Sequence, residues 1–314
     1  MRISTNTLFS SGTARITDLQ SAMQKTQQQI ATGRKVLAPS DDPIAASQVL
    51  NLEQGQAMNA QYATNRMNAN NALSQQEAVL GGVGDLVQDI KTLLVQAGNG
   101  SLDDTQRAYL AVELDGQIDS MLSLANSKDS MGNYIFSGYQ VGLPAYAKTA
   151  TGANFQGDAG QRMLQVDFSR RVTTSISGLQ LFENIDTGTP AAPGMVQNIF
   201  ATLRQLSDTL KTPTATPAAQ AALQSTAQGA DNSLATLLDR VLSARAAAGA
   251  QQKEIDALNA AGSAKDVYFA QAKSALQDVD YTQAISQFSQ QQTTLDAAMK
   301  SFKATSQLSL FSMI

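Results

Sequence analysis

The chain has 314 residues, of which 43% are hydrophobic and 15% charged, and its formal net charge is −4 at pH 7. That length accommodates two or three domains with substantial cores. Histidine and cysteine are both absent, which excludes imidazole catalysis, a Cys/His zinc site and disulfide bonds.

The distribution of charged and apolar residues argues against several kinds of partner. Lys and Arg are interspersed with Asp and Glu, so no nucleic-acid partner is expected, because phosphate binding by counterion release needs clustered basic residues. No apolar run has membrane-spanning length, so no membrane insertion is expected. Catalysis would have to rest on carboxylates, lysines or tyrosines. We therefore expect a protein that is not an enzyme and that has no cofactor and no metal.

The start of the chain carries an apolar residue at every seventh position. Such residues stay on one face of a helix that is wound into a left-handed supercoil. The spacing predicts a first helix from about Leu8 to Thr32, which ends at Gly33. The positions beside the repeat are weakly apolar, so this helix needs a partner. The repeat consists of Phe9, Ile16, Met23, Ile30 and Leu37.

Residues 38–43 carry the signals of a helix start. Ser and Asp side chains accept hydrogen bonds from the free N–H groups of a first turn, and proline favours that turn. A paired-carboxylate acid–base site at Asp41 and Asp42 is the alternative, which we consider weaker than capping. A long helix is predicted from Ile44 toward Leu80, loosened by the glycines at 81–84 and then resumed. Another helix follows over 110–125, after a glycine loop.

Between 132 and about 193 the apolar spacing changes from helical to alternating. A period of two residues, interrupted by glycine-rich turns, predicts β-strands. The segment 133–193 is therefore interpreted as a small β-rich insert. Its alternating residues are Leu164, Val166, Phe168, Val172, Thr174 and Ile176.

Helical spacing returns from Met195 to Leu210, and a long helix is predicted from Ala218 to Leu258. A second seven-residue repeat lies near the end of the chain. The predicted fold is mainly α with a small β-rich insert: long helices in a hairpin-like bundle, with the N- and C-terminal helices paired as a coiled coil. The second repeat consists of Tyr281, Phe288, Leu295 and Phe302, with Ile285 and Met299 beside it.

The same elements divide the chain into three predicted domains. Residues 1–44 and 271–314 form a terminal coiled-coil assembly domain. Residues 45–132 and 194–270 form a central helical bundle domain. Residues 133–193 form the β-rich outer insert domain.

The two terminal repeats are the candidate functional residues. A lone pair of such helices buries too little apolar surface to offset the conformational entropy of ordering it. We therefore expect the ends to be disordered in the free monomer and to become helical when neighbours cover them in a head-to-tail lattice. The alternative is an intramolecular coiled coil, formed by the two ends of one chain without neighbours. The predicted assembly interface is Phe9, Ile16, Met23, Ile30, Leu37, Tyr281, Ile285, Phe288, Leu295, Met299 and Phe302.

Two runs resemble the terminal signatures of the bacterial flagellin-like axial proteins. Residues 30–46 read Ile-Ala-Thr-Gly-Arg-Lys-Val-Leu-Ala-Pro-Ser-Asp-Asp-Pro-Ile-Ala-Ala, and residues 278–284 read Asp-Val-Asp-Tyr-Thr-Gln-Ala. Residues 1–5 and 133–138 look most similar to the hook-associated branch of that family. The resemblance covers roughly the first 140 and the last 120 residues. Its signature turn consists of Gly33, Ser40, Asp41, Asp42 and Pro43.

The resemblance implies a structural adaptor that self-assembles where the hook of the bacterial flagellum joins its filament. The implied partners are copies of the same chain, the preceding hook-associated protein, filament flagellin and a cytoplasmic export chaperone at the C-terminal helix. The implied location is extracellular, on the flagellum, after export through the flagellar type III channel without a cleaved signal peptide. This expectation replaces the cytoplasmic location that the composition alone favours.

Two alternatives remain open from the sequence. A filament flagellin subunit belongs to the same structural class. A ligand-binding module or enzyme in the β-rich insert belongs to another class, and Tyr146, Asp158, Arg162 and Asp167 are its candidate residues. The glycine loop at 98–104 is faintly similar to a calcium loop, but it lacks the spacing of an EF-hand, so a turn followed by a helix cap is expected.

Overall fold

The computed structural model describes residues 5–185 and 198–311. The chain forms two compact units. Unit 1 consists of Met1–Asn59 and Ser263–Ile314, and unit 2 consists of Ala60–Gly262. The division into three domains stays a prediction.

Long helices dominate the described part of the chain, as the sequence predicts. The first and last helices pack against each other, which confirms the predicted pairing of the terminal helices. The helices are α1 (Thr5–Thr32), α2 (Pro43–Ala97), α3 (Asp104–Ala125), α4 (Gly178–Phe182), α5 (Ile199–Leu210), α6 (Pro217–Gln277) and α7 (Tyr281–Phe311).

Among the described residues of unit 2, four short strands form two antiparallel hairpins. Strand β1 (Tyr146–Thr149) pairs with β2 (Gly152–Phe155), and β3 (Met163–Asp167) pairs with β4 (Arg170–Thr173). The small β-rich insert is thereby confirmed. Part of the alternating pattern lies outside the strands, because Phe168 is exposed in the turn after β3 and Thr174 lies beyond the end of β4. The first hairpin was not predicted, since its four-residue strands carry too few apolar residues to show a period.

The main core of unit 2 lies where α2, α3, α5 and α6 meet the first hairpin. Aromatic side chains fill its centre. The ring of Tyr146 lies 4.9 Å from that of Phe200 and 5.7 Å from that of Phe182, centroid to centroid. Rings at these separations contribute attraction beyond the apolar area that they bury.

A second, smaller core forms where the hairpin of β3 and β4 lies on α2 and α6. Val166 and Val172, which point to one face of the hairpin, are buried in the same cluster as Leu73 and Ile255. Arg66 on α2 donates a hydrogen bond of 3.0 Å to the carbonyl oxygen of Val166. The alternating pattern of the sequence therefore marks the face of this hairpin that packs on the helices.

Helix α2 continues through the glycines at 81–84, where the sequence predicted a loosening. Leu80, Val83 and Val87 are all fully buried at helical spacing within this segment. Each glycine in a helix interior costs about 0.5–1 kcal/mol relative to alanine, and the burial of three large side chains outweighs that cost. Helix α6 likewise continues past Leu258, to Gln277.

The glycine loop before α3 is a turn followed by a helix cap, as predicted. The Asp103 carboxylate accepts a hydrogen bond of 2.7 Å from the N–H of Gln106, whose side-chain oxygen accepts one of 3.1 Å from the N–H of Asp103. This reciprocal pair is a capping box. Helix α5 begins at Ile199 and is capped by Asn198, whereas the predicted start at Met195 lies outside the described residues.

Candidate assembly surface

Helices α1 and α7 of unit 1 run antiparallel. At one end the rings of Phe9 and Phe302 lie 5.1 Å apart. At the other end Arg34 forms an antiparallel bridge with Asp278. One heptad inward from the pair of Phe9 and Phe302, Ile16 lies level with Leu295. One heptad further, Met23 lies level with Phe288.

The contact between these helices follows alternating steps of four and three residues. We call these positions the seam; all of its members are buried or half-buried. This spacing is that of a coiled coil. On α1 the seam consists of Gly12, Ile16, Leu19, Met23, Thr26 and Ile30, and on α7 it consists of Ala284, Phe288, Gln291, Leu295, Ala298 and Phe302.

Most of the predicted interface residues lie in this seam. Ile16, Met23 and Ile30 are half-buried on α1, and Leu295, at 6% exposure, is the most buried of the predicted residues on α7. Leu37 is also half-buried but follows α1. Sequence reasoning left Leu19 and the small seam residues out of the interface because it judged the positions beside the seven-residue row to be weakly apolar. The second row, three or four residues away, was the available signal.

Four of the predicted interface residues are not part of the seam, and their side chains are exposed. Phe9 is half exposed although it touches Phe302. Tyr281, Ile285 and Met299 are 52%, 56% and 41% exposed. At 100° per residue these three lie along one side of α7 together with Gln292, and we call this row the outer flank. The isolated chain therefore leaves an apolar row beside the seam without cover.

The signature turn ties the ends of the helices of unit 1 together. Gly33 ends α1 with φ +70°. Its carbonyl oxygen accepts a hydrogen bond of 2.9 Å from the N–H of Val279, and the N–H of Lys35 donates one of 2.7 Å to the carbonyl of Gln277. We call this pair of backbone bonds the clasp.

Two neighbouring carboxylates of the turn have separate structural tasks. Asp42 caps α2, since its Oδ1 accepts hydrogen bonds from the N–H groups of Ile44 and Ala45. Asp41 accepts a bond of 2.6 Å from Lys25, which lowers the pKa of the Asp41 carboxyl below its usual value with help from the backbone N–H of Ala38. Asp42 therefore caps a helix start, as predicted, whereas Asp41 joins Lys25 of α1 to the N–H groups of Leu37 and Ala38 in the turn. Ser40 and Pro43 lie exposed in the same turn, and Pro43 is the first residue of α2.

Apolar burial differs sharply between the two units. Both hydrophobic clusters among the described residues lie in unit 2. In unit 1 the large buried apolar side chains are Val49 and Leu295, whereas many others are exposed on all four of its helices. Exposed apolar side chains that lie together mark an interaction site, and the outer flank of α7 is such a group. The exposed residues are Phe9, Ile44, Leu50, Met58, Val267, Tyr268, Tyr281, Ile285 and Met299.

The candidate ligand-binding residues of the insert carry internal contacts. Tyr146 is buried and donates a hydrogen bond of 3.0 Å to the carbonyl of Gly178. Asp158 accepts one of 2.9 Å from the N–H of Tyr139, and Arg162 lies 3.7 Å from the carboxylate of Asp129. Asp167 ends β3 and is paired with Arg170. An open depression of about 450 Å³ in unit 2 is lined by other residues.

No cluster of three or more acidic side chains suited to a metal ion occurs among the described residues. Nor does any helix within them have the length and apolarity needed to cross a membrane.

Comparisons with known proteins identify the family. Residues 3–141 match the bacterial flagellin N-terminal helical region. The flagellar hook-associated protein 3 of Escherichia coli K12 is 37% identical over 321 aligned positions, which span 100% of this chain and 99% of that protein. The chain belongs to the flagellar hook-associated protein 3 family.

Solved structures agree on the fold of this hook-associated protein 3 family member. A flagellar hook-associated protein from Vibrio parahaemolyticus aligns with a TM-score of 0.66 at 23% identity, covering 76% of this chain and 100% of that one. The flagellar junction protein FlgL from Legionella pneumophila aligns with a TM-score of 0.61 at 19% identity, covering 74% of this chain and 100% of that one. As a member of this family of structural proteins, the chain is a flagellar component.

Proposed function

We propose that this protein is a structural adaptor that self-assembles at the hook–filament junction and joins the preceding hook-associated protein to filament flagellin. The observation that carries the proposal is the 37% identity, over the full length, to hook-associated protein 3 of E. coli. The fold shared with a flagellar junction protein supports it. The adaptor is not an enzyme, and its work is the formation of contacts with neighbouring subunits.

We further propose that unit 1 carries those contacts through the predicted terminal interface. The outer flank of α7 supports this, because Tyr281, Ile285 and Met299 form an exposed apolar row beside a partly buried seam. A neighbouring helix that covers the row would bury apolar surface at about 25 cal/mol per Å². Heterologous contacts of this kind generate a ring or a helical lattice.

The same surface accounts for the proposed export partners. Export through the flagellar type III channel would proceed without a cleaved signal peptide, and the chain would assemble outside the cell. Before export, an exposed apolar helix is prone to aggregate. A cytoplasmic chaperone that binds α7 would cover the outer flank until an assembly site takes its place.

The outer flank provides the sharpest test. Ile285→Asp and Met299→Asp place a charge where the isolated chain is already exposed, so the monomer should keep its helices. In cells lacking the native gene, both variants should be exported but should fail to retain filaments. The matched control is Gln290→Asp, an exposed position on another side of α7. Normal filament retention and motility with both flank variants would contradict the proposed interface.

A seam variant should fail for a different reason. Phe288→Asp places a charge in the half-buried seam and should separate α7 from α1. We expect loss of assembly with unit 2 still folded, because both hydrophobic clusters lie there. Circular dichroism of the purified variant, together with a motility assay, measures both effects. A motile Phe288→Asp strain would contradict the requirement for the helix pair.

A further inference from the structure

Large side chains recur so regularly along α1 and α7 that they do not by themselves determine how the helices align. The large row of α1 is Phe9, Ile16, Met23 and Ile30, and that of α7 is Tyr281, Phe288, Leu295 and Phe302. A shift of α7 by one heptad would again set large residues opposite large ones. A shift of this kind is a known hazard of uniform heptad repeats.

Two glycines, Gly12 within α1 and Gly33 directly after it, make the alternative alignments unequal. A Cβ atom on Gly12 would lie 2.6 Å from Cδ2 of Phe302, so the ring occupies the space that any other residue would fill. A Cβ atom on Gly33 would lie 3.0 Å from the hydroxyl of Tyr281. Gly12 therefore accommodates the ring of Phe302, and Gly33 accommodates the hydroxyl end of Tyr281.

The spacing of the two contacts is the same on both helices. Gly12 and Gly33 are three heptads apart, and so are Tyr281 and Phe302. The positions of the same row between the glycines hold Leu19 and Thr26, which leave no such space.

We propose that the contacts of Gly12 with Phe302 and of Gly33 with Tyr281 fix the register of the terminal helix pair. A shift in one direction would press the Phe302 ring onto Leu19. A shift in the other direction would press the Tyr281 ring onto Thr26. Each contact therefore opposes one direction of slippage, and together they leave one alignment.

Register matters because it sets the level at which the outer flank is presented to a neighbour. The inference itself concerns a contact within one chain, and it does not depend on the proposed junction function. The competing explanation is that the clasp alone fixes the alignment, since it joins the same helices at one end. The Gly12 contact lies at the far end of α1, so substitution there separates the two explanations.

The absence of native cysteine permits a direct measurement of register by disulfide formation. Thr26→Cys with Ala284→Cys reports the observed alignment, since both positions are buried in the seam and level with each other. Thr26→Cys with Gln291→Cys reports the shift that carries Phe302 toward Leu19. The two target positions on α7 are one heptad, about 10 Å, apart, and a disulfide tolerates no such error.

The full-length chain is oxidised in four backgrounds: parent, Gly12→Leu, Phe302→Ala and Ala14→Leu. The parent should form the first disulfide and almost none of the second. Phe302→Ala removes the large side chain that opposes the shift, and Gly12→Leu removes the space that holds it, so the second disulfide should rise several-fold in both. Ala14→Leu adds the same bulk at an exposed position and should match the parent.

The Phe302→Ala background decides the outcome if Gly12→Leu separates the helices altogether. A rise of the shifted disulfide in that background supports the proposal. If the shifted disulfide stays at the parent level in both Gly12→Leu and Phe302→Ala, the clasp alone sets the register and the proposal is overturned.

Discussion

Glu183 carries a carboxyl group that is almost wholly buried in unit 2, at 3% exposure. It lies against Tyr146 and Asn198, and its Oε1 atom has no hydrogen-bond partner. Burial raises the pKa of this carboxyl from 4.5 to about 7. Burial also raises the pKa of the neighbouring Tyr146 hydroxyl. The folded chain therefore favours the neutral form of Glu183.

The stability of unit 2 should fall as the pH rises. Because the folded pKa lies above the unfolded value, the contribution of Glu183 is fully present below about pH 4.5 and is lost as the pH passes 7. The shift corresponds to about 3 kcal/mol at most. The glutamine of the Glu183→Gln variant cannot ionise. The free energy of unfolding of this variant, relative to that of the parent, should therefore be higher at pH 8.5 than at pH 5. Denaturant titrations at both values measure this.

A matched control separates Glu183 from general effects of charge. Glu113→Gln changes an exposed acid on α3 and should leave the pH dependence of the parent unchanged. Parallel pH profiles of the parent and Glu183→Gln would contradict the account of the buried carboxyl.

Gly33 is the residue at which backbone conformation most limits the signature turn. Its φ of +70° costs a residue with a Cβ atom about 1–2 kcal/mol. Gly33→Ala should therefore speed amide exchange at the end of α1 and in the clasp. Gly33→Asn should have the smaller effect, because asparagine tolerates this conformation better than alanine. Equal protection in Gly33→Ala and the parent would show that the turn is not constrained in this way.

At the scale of the elements, α2 gives a test of helix continuity. A Cβ atom on Gly81 would meet no other atom within 4 Å, and the residue lies inside the helix. Gly81→Ala should therefore stabilise unit 2 by about 0.5–1 kcal/mol. Thermal unfolding measures the gain. By contrast, Gly157→Ala should destabilise, because its Cβ atom would lie 2.6 Å from the Ser137 carbonyl oxygen. A destabilised Gly81→Ala variant would favour the loosened helix that the sequence predicted.

The elements differ in how far the sequence could predict them. Heptad spacing predicted α1 and α7, and the capping signals at 38–43 and in the loop at 98–104 predicted helix starts. The glycines at 81–84 led to the wrong prediction of a loosened helix, because glycine has a low helix propensity. Burial against other helices outweighs that propensity and keeps α2 continuous. The hairpin of β1 and β2 was also not predicted, because its stability depends on distant parts of the chain. Tyr146 packs in an aromatic cluster that those parts form.

The candidate surface was predicted only in part. A single row of apolar residues indicates that a helix needs a partner, but it does not say which members the partner covers. The structure separates Leu295, which is buried in the seam, from Ile285, which is exposed on the outer flank. The role of Gly12 depends on the position of the Phe302 ring, so no property of α1 alone could indicate it.

At the scale of the molecule, the two units differ in what holds them together. Unit 2 contains both hydrophobic clusters, so its packing is complete within one chain. Unit 1 exposes a row of large apolar side chains, and in the proposed assembly neighbours would supply the remaining burial of its helix pair. Under this proposal, folding and assembly are coupled in unit 1 and separate in unit 2.

Hydrogen exchange on the purified monomer, read by mass spectrometry, tests this division most directly. We predict that residues 5–40 and 275–311 exchange far faster than residues 60–130 and 200–260, which should be protected. Protection of the terminal segments should then appear when the protein assembles. If the terminal helices are as strongly protected as unit 2 in a verified monomer, they form a complete core of their own. That result would contradict coupled ordering and assembly.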